Sequence, residues 1–171
     1  MIRTLILGAA LVLVSAAALA AGSEDGLDAA DGFRDAHFGA RIESFHGLDL
    51  VTANGARGTR VYVRPGDELK LGDASLDGIT YGFYSGELYF VALLSSGHRN
   101  AQMMLAALQE AYGPGRRVSR DVDEFLWQGR RVVLHFREDP ATGMGMADLT
   151  SLPIDARAKA DMQAVPAEVA R

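Results

Sequence analysis

Apolar and polar residues alternate along two pairs of short runs, and each pair meets at a turn that contains glycine. The runs are residues 48–53 and 59–63 around Asn54-Gly55, and residues 79–84 and 87–95 around Ser85-Gly86. Alternation places every second side chain on the same face of a strand. Because a short glycine turn commonly joins two antiparallel strands, the pattern predicts two β-hairpins.

A two-residue turn at Ser85-Gly86 would set the register of the second hairpin. One apolar face then carries Phe83 opposite Leu88, Tyr81 opposite Phe90, and Ile79 opposite Ala92. On the other face Gly82 lies opposite Tyr89, whose ring can cover the bare strand glycine. The second strand of this hairpin is apolar on both faces, so we expect it to be central in the sheet.

Residues 97–112 follow a helical period and are predicted to form the main helix. Ser96 is the candidate N-cap, and Gly113-Pro114 provides a signal for the end of the helix. The apolar stripe consists of Ala101, Met104, Leu105, Leu108 and Tyr112. Because such a stripe is normally buried against another apolar surface, we expect the helix to pack on the apolar face of the second hairpin.

A third hairpin and a last strand follow the helix. Residues 124–127 and 132–137 flank Gln128-Gly129-Arg130, and a final strand at 146–152 follows a turn at Gly143. The side chains predicted to share the inner face are Phe125, Trp127, Val132, Leu134 and Phe136. The order of elements predicts an α+β fold, with an antiparallel sheet of about five to seven strands and one main α-helix packed on one face.

The first twenty residues have the pattern of a cleavable signal peptide. Basic Arg3 precedes an apolar run, and Ala18-Leu19-Ala20 provides small residues before a cut ahead of Ala21. The alternative is an uncleaved membrane anchor, for which the apolar run is only just long enough.

The remaining chain is predicted to contain one folded domain. Its segments are a disordered lead-in at 21–32, a single α+β domain at 33–153, and an Ala-rich tail at 154–171 that is helical or disordered. The chain has no cysteine, which excludes disulfides, a lipoprotein anchor and thiolate chemistry. A domain of this size can form a core without such crosslinks.

Charge and composition indicate a compartment and exclude some partners. Lys70 and Lys159 are the only lysines, the formal net charge is -5, and alanine and glycine are abundant. With the export signal, this composition indicates the periplasm of a Gram-negative bacterium. No basic stripe suits nucleic acid, and no basic amphipathic helix suits a membrane surface. We expect a mature form that is not membrane-embedded, and no pattern indicates its oligomeric state.

Sequence motifs for catalysis or metal binding are absent. The histidines do not have the spacing of zinc ligands, and no nucleophile elbow, H-E-x-x-H, P-loop or S-x-x-K motif occurs. The sequence therefore predicts no catalytic residues, no cofactor and no metal site. One alternative is a soft-metal site, since the thioethers of Met144 and Met146 are ligands suited to Cu(I).

Several segments resemble a family of small exported bacterial proteins. They are Gly32-Phe33-Arg34, Phe38-Gly39, residues 81–89 (YGFYSGELY), Tyr112-Gly113-Pro114 and Trp127-Gln128-Gly129. The resemblance spans residues 32–152 and departs at Phe38, where the family pattern has Trp. It implies one exported domain and adds no catalytic residues.

The remaining candidate site lies on the sheet face opposite the main helix. Tyr84, Tyr89 and Val91 are predicted there, and aromatic rings on such a face can stack on sugars or anchor a partner protein. These observations favour a non-catalytic periplasmic binding or accessory domain that acts on a cell-envelope protein or glycan. The alternatives are copper binding through Met and His, and an enzyme whose site the sequence does not reveal.

Overall fold

The computed structural model describes residues 24–53, 55 and 58–164. In chain order its elements are α1 (Glu24–Ala30), β1 (Gly32–Phe33), β2 (Ala36–His37), a 3₁₀ turn (Ile42–Ser44), β3 (Asp49–Thr52), β4 (Arg60–Val63), β5 (Lys70–Leu71), β6 (Ala74–Ser75), β7 (Gly78–Tyr84), β8 (Glu87–Ser95), α2 (His98–Tyr112), β9 (Arg116–Arg117), β10 (Glu124–Gln128), β11 (Val132–Asp139), β12 (Met144–Ser151) and α3 (Leu152–Ala164). The predicted signal peptide lies outside the described residues.

Eight of these strands form one antiparallel sheet, in the spatial order β3-β4-β7-β8-β12-β11-β10-β9. This confirms the α+β class, the antiparallel sheet and the central position of β8. The sheet exceeds the predicted strand number because the two-residue strand β9 extends its far edge. The strands β1 with β2, and β5 with β6, form separate two-stranded ladders.

The hydrophobic core lies between one face of the sheet and helix α2. Five buried side chains on this face are paired directly from strand to strand and form a continuous row across the sheet. They are Tyr81, Val91, Leu149, Leu134 and Trp127. The buried stripe of α2 consists of Ala101, Met104, Leu105 and Leu108. The helix contacts mainly β12 and the short strand β6, with β8 and β11 beside it.

At the end of the second hairpin that carries Phe83, the core face packs against a residue outside helix α2. There the ring of Phe45 packs edge-on against Phe83, with their centroids 5.2 Å apart. The main helix therefore packs on the predicted face of the sheet, but closer to β12 than to β7.

The second hairpin follows the predicted register only for its first two pairs. Tyr84 pairs with Glu87 and Phe83 with Leu88, but Gly82 then lies opposite Phe90, so Tyr89 is the extra residue of a β-bulge. The extra residue reverses the faces of the strand that follows. Val91 and Leu93 belong to the core, whereas Phe90 and Ala92 lie on the other face.

This shift corrects two predictions about the second hairpin. The pairs of Tyr81 with Phe90 and of Ile79 with Ala92 are wrong, and the ring that covers Gly82 is that of Phe90 rather than Tyr89. The alternation pattern could not reveal the bulge, because β8 is apolar on both faces. A strand of that kind has no polar side whose exposure would fix the register.

Helix α2 starts one residue later than predicted. It begins at His98, and its N-cap is Gly97, with φ at 85° and no side-chain cap. Ser96 is therefore not the N-cap. Its carbonyl oxygen instead accepts a hydrogen bond from the side-chain amide of Asn100.

The segment predicted as a disordered lead-in contains helix α1. Leu27 on this helix is fully buried in the core. Asp28 accepts hydrogen bonds from the backbone N–H groups of Arg130, Arg131 and Val132, at 2.8, 2.8 and 3.1 Å. These contacts join residues about a hundred positions apart, so the polar composition of the segment does not reveal them.

The described part of the Ala-rich tail is helical. Helix α3 follows β12 without a loop, and its buried residues are Ile154, Asp155 and Ala158. Of the helices in the described part of the chain, none is long and apolar enough to cross a membrane.

Candidate functional site

An open cleft of about 480 Å³ lies where helix α2 begins. Its walls come from the start of α2, from the segment between β9 and β10, and from the turn between β11 and β12. Its polar lining side chains are His98, Arg117, Asp121, Asp123, Glu138 and Thr142. We call it the His98 cleft. A concave site with several convergent polar groups is the usual form of a ligand-binding site.

Glu138 reaches the cleft because strand β11 carries it on the core face. Alternation along β11 puts it in line with the buried residues Val132, Leu134 and Phe136, and Glu138 itself is only 6% exposed. Across the sheet it pairs with Gly145, where a Cβ atom would lie 2.8 Å from Ala101 of helix α2. A buried charge is costly unless it is hydrogen-bonded, so its partners decide what it can do.

His98 is the first of these partners. Its Nδ1 lies 2.5 Å from Glu138 Oε1, and this hydrogen bond, followed by the Coulomb attraction of Glu138, raises the pKa of His98. The side chain of His98 is 73% exposed, whereas that of Glu138 is buried. The buried group therefore orients the largely exposed ring through Nδ1.

Gln102 connects Glu138 to a second carboxylate on the cleft wall. Its side-chain amide donates to Glu138 Oε2 at 2.7 Å and to Asp123 Oδ2 at 2.8 Å. Arg117 donates to the other oxygen of Asp123 at 2.7 Å, and its guanidinium lies over the ring of Phe125. Because every member holds its neighbour, these side chains fix one another's positions along the cleft wall.

The turn between β11 and β12 closes the cleft against the helix. Gly143 has φ at 68°, and a Cβ atom there would lie 2.7 Å from the backbone nitrogen of His98. A side chain at this position would therefore displace the turn from the start of α2. In the described ranges, no group of three or more His, Cys, Asp or Glu side chains could hold a metal ion.

The predicted ligand-binding residues lie elsewhere, and the structure does not bring all three to one surface. The Tyr84 hydroxyl donates to Asp161 at 2.5 Å, and that of Tyr89 donates to Asp155 at 2.7 Å, so both contact helix α3. Val91 is fully buried in the core because of the bulge at Tyr89. Its predicted place on the opposite face is therefore wrong.

The two methionines of the copper alternative lie on strand β12 and share one face. Met144 pairs with Asp139 and Met146 with Arg137 across β11. Met144 is exposed and Met146 is half-buried.

Sequence reasoning missed the pair of His98 and Glu138, which are 40 positions apart in the chain. One signal was available. The inward positions of β11 continue from Phe136 to Glu138 with a period of two, which puts a carboxylate on a core face. Such a carboxylate needs a partner, but the sequence could not identify His98 as that partner.

Comparison with known proteins finds no family model, no curated protein and no solved structure that matches this chain. The function is therefore inferred from the residues of the cleft.

Proposed function

We propose that the protein is a non-catalytic binding domain of the bacterial cell envelope and that a protein partner docks in the His98 cleft. The observation that carries the proposal is the wall of prearranged polar groups around Glu138. Fixed hydrogen-bonding groups in a concave site reduce the ordering cost of binding.

The charges of the cleft favour a partner that inserts a basic side chain. Asp121, Asp123 and Glu138 provide three carboxylates, against the two basic groups His98 and Arg117. The whole chain is also acidic, with a net charge of -5. Opposite charges steer association and favour the correct partner.

Site-directed photo-crosslinking tests this proposal. A photo-reactive amino acid replaces Val122, which lines the cleft, and in the control it replaces exposed Leu69, which lies between β4 and β5. We expect one defined envelope protein to be crosslinked from Val122 and not from Leu69, and the adduct to weaken in an Asp123→Asn background.

Two outcomes would contradict the proposal. Identical adducts from both positions would show that the cleft does not select a partner. Sedimentation of the protein with purified peptidoglycan, without any protein adduct from Val122, would assign the cleft to a glycan instead.

A second candidate function is an enzyme that uses His98 as a general acid–base. The supporting observation is that Nδ1 of His98 is bound to the buried Glu138, an arrangement that orients the imidazole for proton transfer at Nε2. The test is turnover of a panel of hydrolase substrates by the wild type and by His98→Gln. Turnover that is lost in His98→Gln would replace the binding proposal with this one.

Export to the periplasm and kinship with the resembling exported family remain proposals that rest on the sequence. Copper binding through Met144 and Met146 is a further proposal that also rests on the sequence. Unchanged Cu(I) affinity in the Met144→Leu, Met146→Leu double variant would contradict that site.

A further inference from the structure

We propose that a second cleft, on the opposite end of the second hairpin from the His98 cleft, binds an oxyanion group between Arg41 and Arg60. The cleft measures about 420 Å³, and Arg41, Arg60, Phe83, Tyr84 and the turn Ser85-Gly86 line it. We call it the Arg41 cleft. It shares no residue with the His98 cleft.

The hairpin turn holds Arg41 in place. Arg41 Nη1 donates to the carbonyl oxygen of Ser85 at 3.1 Å, and the next residue, Ile42, donates its backbone N–H to the Gly86 carbonyl at 2.9 Å. A Cβ atom at Gly86 would lie 3.0 Å from the guanidinium of Arg41. The glycine therefore permits the guanidinium to lie close over the turn.

Arg60 faces the same cleft from the start of strand β4. Among the residues that the structure describes, its guanidinium makes no hydrogen bond or ion pair. Of the described residues that line the cleft, the acidic one is Glu43, which is 3.6 Å from Arg41 and largely exposed. Two guanidinium groups therefore face the cleft with one loosely attached counter-charge.

The remaining walls are held in place by contacts of their own, and Phe83 among them is 2% exposed. Phe83 is held by edge-on packing against Phe45 and Tyr62, with centroid distances of 5.2 and 5.5 Å. Tyr84 is held by its hydrogen bond to Asp161. A guanidinium binds a planar carboxylate or a phosphate through paired N–H donors.

The ligand class is therefore a small molecule or terminal group that carries a carboxylate or a phosphate. A volume of this size is within the range of small-ligand sites, roughly 300–1,000 Å³. An acidic sugar and a phosphate ester share the same oxyanion chemistry, and the experiment distinguishes them.

The test is an NMR titration of the ¹⁵N-labelled protein with sodium glucuronate, inorganic phosphate or glucose at constant ionic strength. We expect saturable shifts of the Arg41 and Arg60 side-chain resonances and of the Gly86 amide with at least one anion, and none with glucose. Shifts with glucuronate alone assign an acidic sugar, and shifts with phosphate alone assign a phosphate group.

Matched variants separate binding from loss of structure. Arg60→Gln should weaken the affinity about tenfold or more, as expected for loss of a hydrogen bond to a charged group. Glu43→Gln should strengthen it, because a competing carboxylate is removed. Arg99→Gln, at an arginine outside the cleft, should change nothing.

The proposal is overturned if neither anion gives saturable shifts at these resonances, or if Arg60→Gln binds like the wild type while its other amide resonances stay in place. Equal binding of glucose would also overturn it. None of these results bears on the His98 cleft, so failure here is distinguishable from failure of the proposed function.

Discussion

Two polar clusters of the molecule can be compared, and the one around His98 lines a cleft. In the Arg64 cluster (Arg64, Asp35, Asp67 and Tyr81), the guanidinium donates to both oxygens of Asp35 and to Asp67 at 2.7 to 2.8 Å, and Tyr81 donates to Asp67 at 2.6 Å. In the His98 cluster (His98, Gln102, Asp123, Glu138 and Arg117), a similarly linked set ends at the side chain of His98, which is 73% exposed.

The two clusters differ in how their titratable groups are paired. Hydrogen bonding to Asp35 raises the pKa of Arg64, and burial raises the pKa of Tyr81. Arg64 and Tyr81 thus keep their charge states at ordinary pH, and their hydrogen bonds join them to other members of the same cluster. The His98 cluster keeps a titratable ring nitrogen beside open space. The Arg64 network closes on its own members, whereas the His98 network ends at a largely exposed ring.

Arg64→Met should give the largest loss of stability. It leaves Asp67, whose side chain is 8% exposed, without its ion pair, and breaking a buried pair costs about 3–5 kcal/mol. Urea denaturation measures the effect. If His98→Met lowered the midpoint by as much as Arg64→Met, both clusters would be structural and the comparison would fail.

Leu108→Ala should lower the free energy of unfolding by about 2–5 kcal/mol, because apolar burial is lost and a cavity remains. Leu108 is 2% exposed on the helix whose other end carries His98. Exposed Glu110→Ala is the matched control and should change stability by about 0.5 kcal/mol or less. Gln109 is less suitable as a control because its amide donates to the Pro114 carbonyl at 3.1 Å. Equal midpoints for Leu108→Ala and Glu110→Ala would show that apolar packing does not anchor this helix.

Asp28→Ala should lower the free energy of unfolding by about 1–3 kcal/mol at neutral pH, because it leaves three backbone N–H groups without their acceptor. Burial favours a higher pKa for Asp28, but the hydrogen bonds from Arg131, Arg130 and Val132 outweigh it and lower the pKa. A carboxylate whose pKa is lowered on folding stabilises the protein at pH values above its ordinary pKa. This stabilisation is lost as the pH falls through the folded-state pKa. The difference between wild type and Asp28→Ala in urea should therefore shrink in acid, and a constant difference would contradict this role.

Local patterns predicted most of the fold, and long-range contacts account for what they missed. Alternation around Gln128-Gly129-Arg130 correctly paired the face of Phe125 with that of Phe136, because the other face of each strand there is mostly polar. The same reasoning misplaced Val91, since β8 lacks such a side. Helix α1 and the partner of Glu138 could not be predicted, because both depend on contacts between distant positions.

The smallest change, a proton on His98, tests the comparison most directly. The hydrogen bond to Glu138 raises the pKa of His98 above its ordinary value of about 6.5. The stability that this pair contributes is therefore present below the ordinary value and lost as the pH rises through the folded-state pKa. In an NMR titration of the His98 ring, Glu138→Gln should move the midpoint down, whereas Glu110→Gln should leave it in place. If Glu138→Gln left the midpoint unchanged, the buried carboxylate would not control the ring, and the His98 cluster would lose the feature that distinguishes it from the Arg64 cluster.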